Sequence, residues 1–282
     1  MGMGTLADLR ATVGASIFAR VAGPEGPARR ERIMGTPGPR WFAEDRPIRQ
    51  VHGDAAMFIG GLSALLLQSL HPLAMAGVAG HSGYRGDPWG RLQRTSTFLA
   101  TTTFGPADDA QAAVDQVRSI HARVRGTAPD GRPYSADDPH LLQWVHIAEI
   151  DNFLRAHQRF GARPLDADEA DTYVADAARI ARSLGVPAPP VTVAELSARL
   201  DAYRSELEGT AEARAAARYL VFTPPLPALV RAPYAVLAAN AVALLPGWAR
   251  RELWLPRLPV ANSTAVPLGG HALVRGIRWA MR

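Results

Sequence analysis

With 282 residues and 48% hydrophobic content, the chain is long enough to bury a sizeable core as one large domain or two small ones. It has no cysteine and no lysine, so all 31 basic residues are arginine. That excludes disulfides, thiolate-bound metals and clusters, Schiff-base lysines and phosphate-loop lysines, leaving His, carboxylate, hydroxyl and Arg chemistry. The net charge of +5 gives a weak bias toward anionic surfaces; the arginines are interspersed with Asp and Glu and form no nucleic-acid-binding stripe.

The first twenty residues carry Asp8 and Arg10 before a short apolar run and lack a secretory h-region, which reads as a cytoplasmic protein. Residues 1–39 read as an N-terminal arm. The first long helix is expected over 54–80. Its run "GGLSALLLQSLHPLAMAGVAG" is apolar on nearly every face and about as long as a membrane span. Gln68, Ser69 and His71 at its middle favour a buried central helix over a span, because an ionisable group inside a bilayer is costly. Pro72 removes one backbone donor and frees the Gln68 carbonyl.

A second helix is expected over 90–103, where Arg91, Thr95, Phe98 and Thr102 share a face with Arg94 at its edge. A buried Arg there needs an anionic partner, either a core carboxylate or a bound acid. A third, over 107–124, starts at Pro106 with Asp108 and Asp109 in its positive first turn. Ala110, Ala113, Val114, Val117, Ile120 and Val124 keep helical spacing, and His121 lies on their face. Spacing alone favours a core histidine with a hydrogen-bond partner; the alternative is an axial haem ligand, which needs a neutral imidazole in a dry pocket. Over 137–160, His146, Ile150, Phe153 and His157 line one face. Glu149 lies beside them, so His146 and Glu149 form a candidate acid–base pair, while Asp151 lies across the helix.

Further helices are expected over 166–184, 192–208, 210–221, 227–245 and 265–281. Asp166 and Thr192 are N-cap candidates, the latter with Glu195 completing a capping box. Gly126, Gly161 and Gly185 are stop signals. No H-x-H, H-E-x-x-H or compact two-His-one-carboxylate spacing is present, so a zinc or non-haem iron site requires assembly from distant segments. The class is all-α: a single multi-helix domain around a buried apolar central helix.

Together, the runs "GDAAMFIGGLSALLLQSLHPLAMAGVAGHSGYRGDPWGRLQRTSTFLATTTFG" and "VRSIHARVRGTAPDGRPYSADDPHLLQWVHIAEIDNFLRAHQRF" resemble the MpaB and rubber-oxygenase catalytic-domain family. The ordered elements are His71-Pro72, His81-Ser82, Asp87-Pro88, "RLQRT", "FG", "HARVRG", "YSADDPHLLQWVH" and "LGVP". The resemblance covers roughly residues 40–250, with 251–282 as a C-terminal extension packed on the same body. Members of that family, such as the latex clearing proteins, use haem b and dioxygen on isoprenoid chains, and the resemblance implies a globin-like core around the buried apolar helix.

The resemblance therefore implies haem b, dioxygen and a small lipophilic, unsaturated substrate. It implies His121 as the ligand of the haem iron. Arg91 and Thr95 would organise the pocket or the propionates, and Arg94 would lie on the distal side, completing the catalytic set. His71 is either a further cofactor-binding residue or a helix-kink partner. The family's Arg-x-x-Lys-Thr motif has Arg94 in place of its Lys; Arg stays protonated and ligates metals poorly, so the iron would be five-coordinate, water-bound or otherwise ligated. Glu149 and Glu44 are the candidates for the family's distal Glu. A haem- or lipid-binding module without oxygenase turnover is the alternative. The Arg-rich "GWARRELWLPRLP" suggests peripheral contact with anionic lipid, and nothing in the sequence fixes an oligomeric state.

Overall fold

Apolar residues recur at helical spacing through most of the chain, and the structure, a computed structural model, forms helices nearly throughout the residues it describes, 6–81, 86–256 and 264–281. In chain order they are α1 (Leu6–Ala22), α2 (Gly26–Gly35), α3 (Pro47–His52), α4 (Met57–Gln68), α5 (Pro72–His81), α6 (Pro88–Phe104) and α7 (Ala107–His121). A short hairpin follows, β1 (Arg125–Thr127) and β2 (Pro133–Ser135), antiparallel with Gly126 opposite Tyr134. Then come α8 (Pro139–Phe160), α9 (Ala167–Leu184), α10 (Val193–Ala202), a 3-10 turn (Tyr203–Glu206), α11 (Ala211–Phe222), α12 (Ala228–Leu244), α13 (Gly247–Glu252) and α14 (Ala265–Met281). The chain is all-α.

The core forms where α4 packs along α8. On α4, Ile59, Leu62, Ala64, Leu66 and Leu67 are buried; on α8, Trp144, Ile147, Ala148, Ile150, Phe153 and Ala156 are. Gly60 lets the two axes approach: a Cβ there would lie 3.0 Å from the Ala156 Cβ and 3.1 Å from the Asn152 carbonyl. The buried Ser63 hydroxyl donates to Asn152 Oδ1 at 2.6 Å, which satisfies the polar atoms at this contact.

The single helix expected over 54–80 is two. α4 and α5 meet at a 108° bend. Pro72 has no N–H and begins α5 instead of continuing α4. The last turn of α4 tightens, with Leu70 N–H donating to Leu67 and His71 N–H to Gln68. Among the described residues no single helix is long and apolar enough to cross a membrane; only α4 and α5 together reach that length and apolarity, across the bend.

Residues 1–39, read as an arm, contain α1 and α2. α1 packs on α6 and α14, and Gly14 meets α14 so closely that a Cβ would lie 2.2 Å from the Ala280 carbonyl oxygen. The hairpin was not anticipated, because three-residue strands are too short for alternation to register. Asp166 caps α9 through the full reciprocal box with Glu169, and Gly185 closes it with φ 112°. Thr192 accepts from Glu195 N–H, but the Glu195 carboxylate reaches back to Val191 N–H rather than to Thr192. The helix expected over 192–208 ends at Ala202 and tightens into the 3-10 turn.

Two ion pairs fasten the layers. Arg278 on α14 holds Asp54 with both Nη2–Oδ contacts at 2.9 Å, and both side chains are largely buried. Arg46, at the start of α3, clamps the buried Asp176 of α9.

Candidate functional site

The predicted motif lies on α6 and the predicted histidine on α7, two helices paired in a hairpin. The two helices are joined by Gly105 and Pro106 and pack against each other. Arg91 lies in the first turn of α6 and His121 is the last residue of α7, so each stands at the end of its helix remote from the connection. α6 starts cleanly: Pro88 fits the first turn, and Asp87 Oδ1 accepts from Gly90 N–H at 2.8 Å.

The four predicted residues are oriented differently. Arg91 is half-buried and Thr95 is exposed. Arg94 points outward to Asp87, 3.2 Å away, with 65% of its side chain in solvent. His121 is half-buried on the face of Ala110, Val114 and Val117; burial pushes its imidazole below the ordinary value, against the pull of Asp137. Ile120, expected on that face, is exposed. No hydrogen bond to the His121 ring is found among the described residues.

Behind α6, the middle of α8 supplies a second set. Burial pushes the Glu149 carboxyl up to about 7, opposed by a hydrogen bond from Gln68 and by the charge of Arg91. Burial pushes the His146 imidazole down to about 4, and its Nε2 has no partner. No hydrogen bond links His146 to Glu149 among the described residues; the acid's partners are Gln68 and Arg91. The charge of Arg91 acts on Glu149, a buried carboxylate of the kind expected to accompany it. The other candidates are engaged elsewhere: His157 contacts Gln50 and the Arg163 carbonyl, Asp151 pairs with Arg155 at 2.7 Å, and Glu44 is exposed before α3.

A third group gathers at the α4–α5 bend. His71, 3% exposed, has its Nε2 3.5 Å from Glu206 Oε2, and burial outweighs the acid in pushing its imidazole down. His140, at the start of α8, places Nε2 2.8 Å from the same oxygen. Trp144 and Tyr203 flank His71, with ring centroids 6.2 and 6.4 Å away. Glu208 N–H donates to the Leu70 carbonyl at 2.8 Å and anchors the 3-10 turn's exit against the bend. The spacing 71, 140, 206 carries no local signature; the one local signal was His71-Pro72 inside an apolar helix. Ser82, of the His81-Ser82 element, lies outside the described residues, as does part of the Arg-rich run, 257–259.

A family model described as the ER-bound oxygenase mpaB/B′ and rubber oxygenase catalytic domain matches residues 49–279. The chain therefore belongs to the mpaB and rubber-oxygenase catalytic-domain family. Neither the comparison with curated proteins nor that with solved structures gave a significant match.

Proposed function

We propose that the protein is a haem-dependent oxygenase that uses dioxygen on a small lipophilic, unsaturated substrate. Membership of an oxygenase family supports the reaction class. The observation that supports the cofactor reading is the half-buried His121, whose imidazole burial holds toward the neutral form and which has no hydrogen-bond partner among the described residues, on the helix paired with the one that carries the half-buried Arg91. These residues fit a haem: the group needs one neutral imidazole, a cation near its acidic edge and an apolar wall, and His121, Arg91 and Phe98 offer them.

Bound there, haem b would supply redox-active iron for work with dioxygen. His121 would hold the iron through its lone pair. Arg91 would meet the acidic groups of the cofactor with charge, and Thr95 would add a hydroxyl one turn on. Phe98 and Leu99, which pack on the core, keep water from the interior side. Glu149, with its carboxyl near 7, holds or releases a proton at neutral pH beside Arg91. Arg94, turned to Asp87, works from the solvent side of this wall.

The test is the visible absorption spectrum of protein purified from iron-replete cells, beside His121→Ala. A Soret band in wild type that is lost or shifted in the variant is expected, and turnover of a co-incubated isoprenoid then separates an oxygenase from a carrier. A colourless wild type that also fails to take up added hemin overturns the reading.

A further inference from the structure

The geometry points to a second, separate site: a divalent transition-metal ion held by His71, His140 and Glu206. Their ligand atoms lie within 4.8 Å of one another. Two separations are known more closely, 2.8 Å from His140 and 3.5 Å from His71 to one Glu206 oxygen. Ligand atoms around a metal with bonds of about 2.1 Å stand roughly 3–3.5 Å apart, so the cluster needs little adjustment.

Hydrogen bonding around His140 gives an independent reason. Tyr203 Oη donates to the His140 carbonyl at 2.8 Å, so its single proton is committed. The tautomer with its proton on Nδ1, 3.2 Å from the same oxygen, then satisfies that contact as donor. In the neutral ring this leaves Nε2 as a bare lone pair facing a carboxylate oxygen at 2.8 Å, acceptor against acceptor. A proton or a cation between them resolves that contact. Fixing the tautomer through Nδ1 is also how proteins present Nε2 to a metal.

His71 supplies the third reason. It is almost wholly buried, yet among the described residues neither ring nitrogen makes a hydrogen bond, and Nε2 is directed at the Glu206 oxygen 3.5 Å away. An unsatisfied buried ring of this kind is costly, and a cation at Nε2 would satisfy that nitrogen. A proton on His140 repairs only one of the two contacts; a metal repairs both. Two imidazoles and one carboxylate suit zinc, ferrous iron or cobalt, whereas calcium and magnesium prefer oxygen alone. His140 and Glu206 are 50% and 40% exposed, which leaves an entry path and open coordination positions.

The site does not depend on His121 or on haem. The ion would tie the α4–α5 bend, the start of α8 and the 3-10 turn to one centre. The test is calorimetric titration of the chelator-washed full chain with Zn²⁺, beside Glu206→Gln and His140→Ala, each checked for wild-type circular dichroism. One saturable site is expected, with affinity reduced at least about tenfold in either variant. Co²⁺ should give a visible ligand-field spectrum in wild type alone. Absence of saturable binding by the folded wild type would mean a proton-held ion pair only and overturns the proposal. So does equal binding by wild type and Glu206→Gln, or equal competition by Mg²⁺. Because the Glu206 side chain is partly in solvent, its variant decides the matter even if His140→Ala misfolds.

Discussion

The indole Nε1 of Trp144 donates to the main-chain carbonyl of Gln68 at 3.1 Å. This is the acceptor that an uninterrupted helix would have paired with an N–H at position 72, where proline has none. A side chain one helix away thus completes the bend and holds α8 against it. Trp144→Phe keeps a ring in the core but removes the donor. The expected cost is about 1–2 kcal/mol, read as a lower urea midpoint with an unchanged slope.

Gly60 and Gly61 are neighbours with opposite prospects. A Cβ at 60 meets α8 backbone at 3.1–3.2 Å, whereas one at 61 meets nothing within 4 Å. Gly60→Ala should lose about 1–2 kcal/mol, because overpacking exceeds the gain in helix propensity. Gly61→Ala should gain up to about 1 kcal/mol. Thermal unfolding of the two variants, side by side, checks both signs.

Glu149 ties stability to pH in a definite direction. Its folded-state carboxyl, near 7, lies above the ordinary 4.5, so between those values the native state holds a proton that the unfolded chain has released. Stability therefore falls as pH rises through this window and is level above it. His146, held down to about 4 from 6.5, works the other way: its contribution is lost as pH falls from about 6.5 toward 4. The two slopes oppose each other where they overlap. Glu149→Gln removes one of them. Its stability relative to wild type should climb between pH 4.5 and 7 by about 1–3 kcal/mol, then stay constant. Denaturation curves across that range would show a parallel offset if Glu149 titrated normally.

Removing Arg278 leaves the Asp54 carboxylate buried without its cation. The carboxylate keeps the N–H groups of Ala56 and Ala162, at 2.7 and 3.1 Å. Arg278→Ala should thus cost about 3 kcal/mol, the low end of the range for a broken buried pair. α14 should then detach first, and limited proteolysis would cut near it while leaving the α4–α8 core intact.

The helices and their punctuation were legible because they rest on local physics. Asp166 as an N-cap and Gly185 as a stop act within one turn of chain, where spacing is informative. The α4–α5 bend was half legible: Pro72 announced a lost hydrogen bond, but whether that yields a kink or a corner depends on Trp144, 72 residues away. α1 was hidden because its partner, α14, lies at the far end of the chain. The His71, His140 and Glu206 cluster left no spacing to read, and Arg94, on the edge of an inward face by periodicity, turned outward because Asp87 offered it a charge.

Asp54 and Arg278 are separated by 224 residues, and α1 rests on α14 in the same region. On a ribosome this has a temporal meaning. The central helices can collapse as they emerge and α6 can cover part of α1, but the face of α1 that meets α14 must wait until nearly the whole domain has been synthesised. Until then the chain carries a half-covered apolar helix. The closing step, α14 docking across α1 and Asp54, converts a folded core into a sealed one. Because that step also brings the two ends of the domain together, joining them and opening the chain at the hairpin between Thr127 and Pro133 should yield a permuted protein in which α1 and α14 meet as neighbours in sequence.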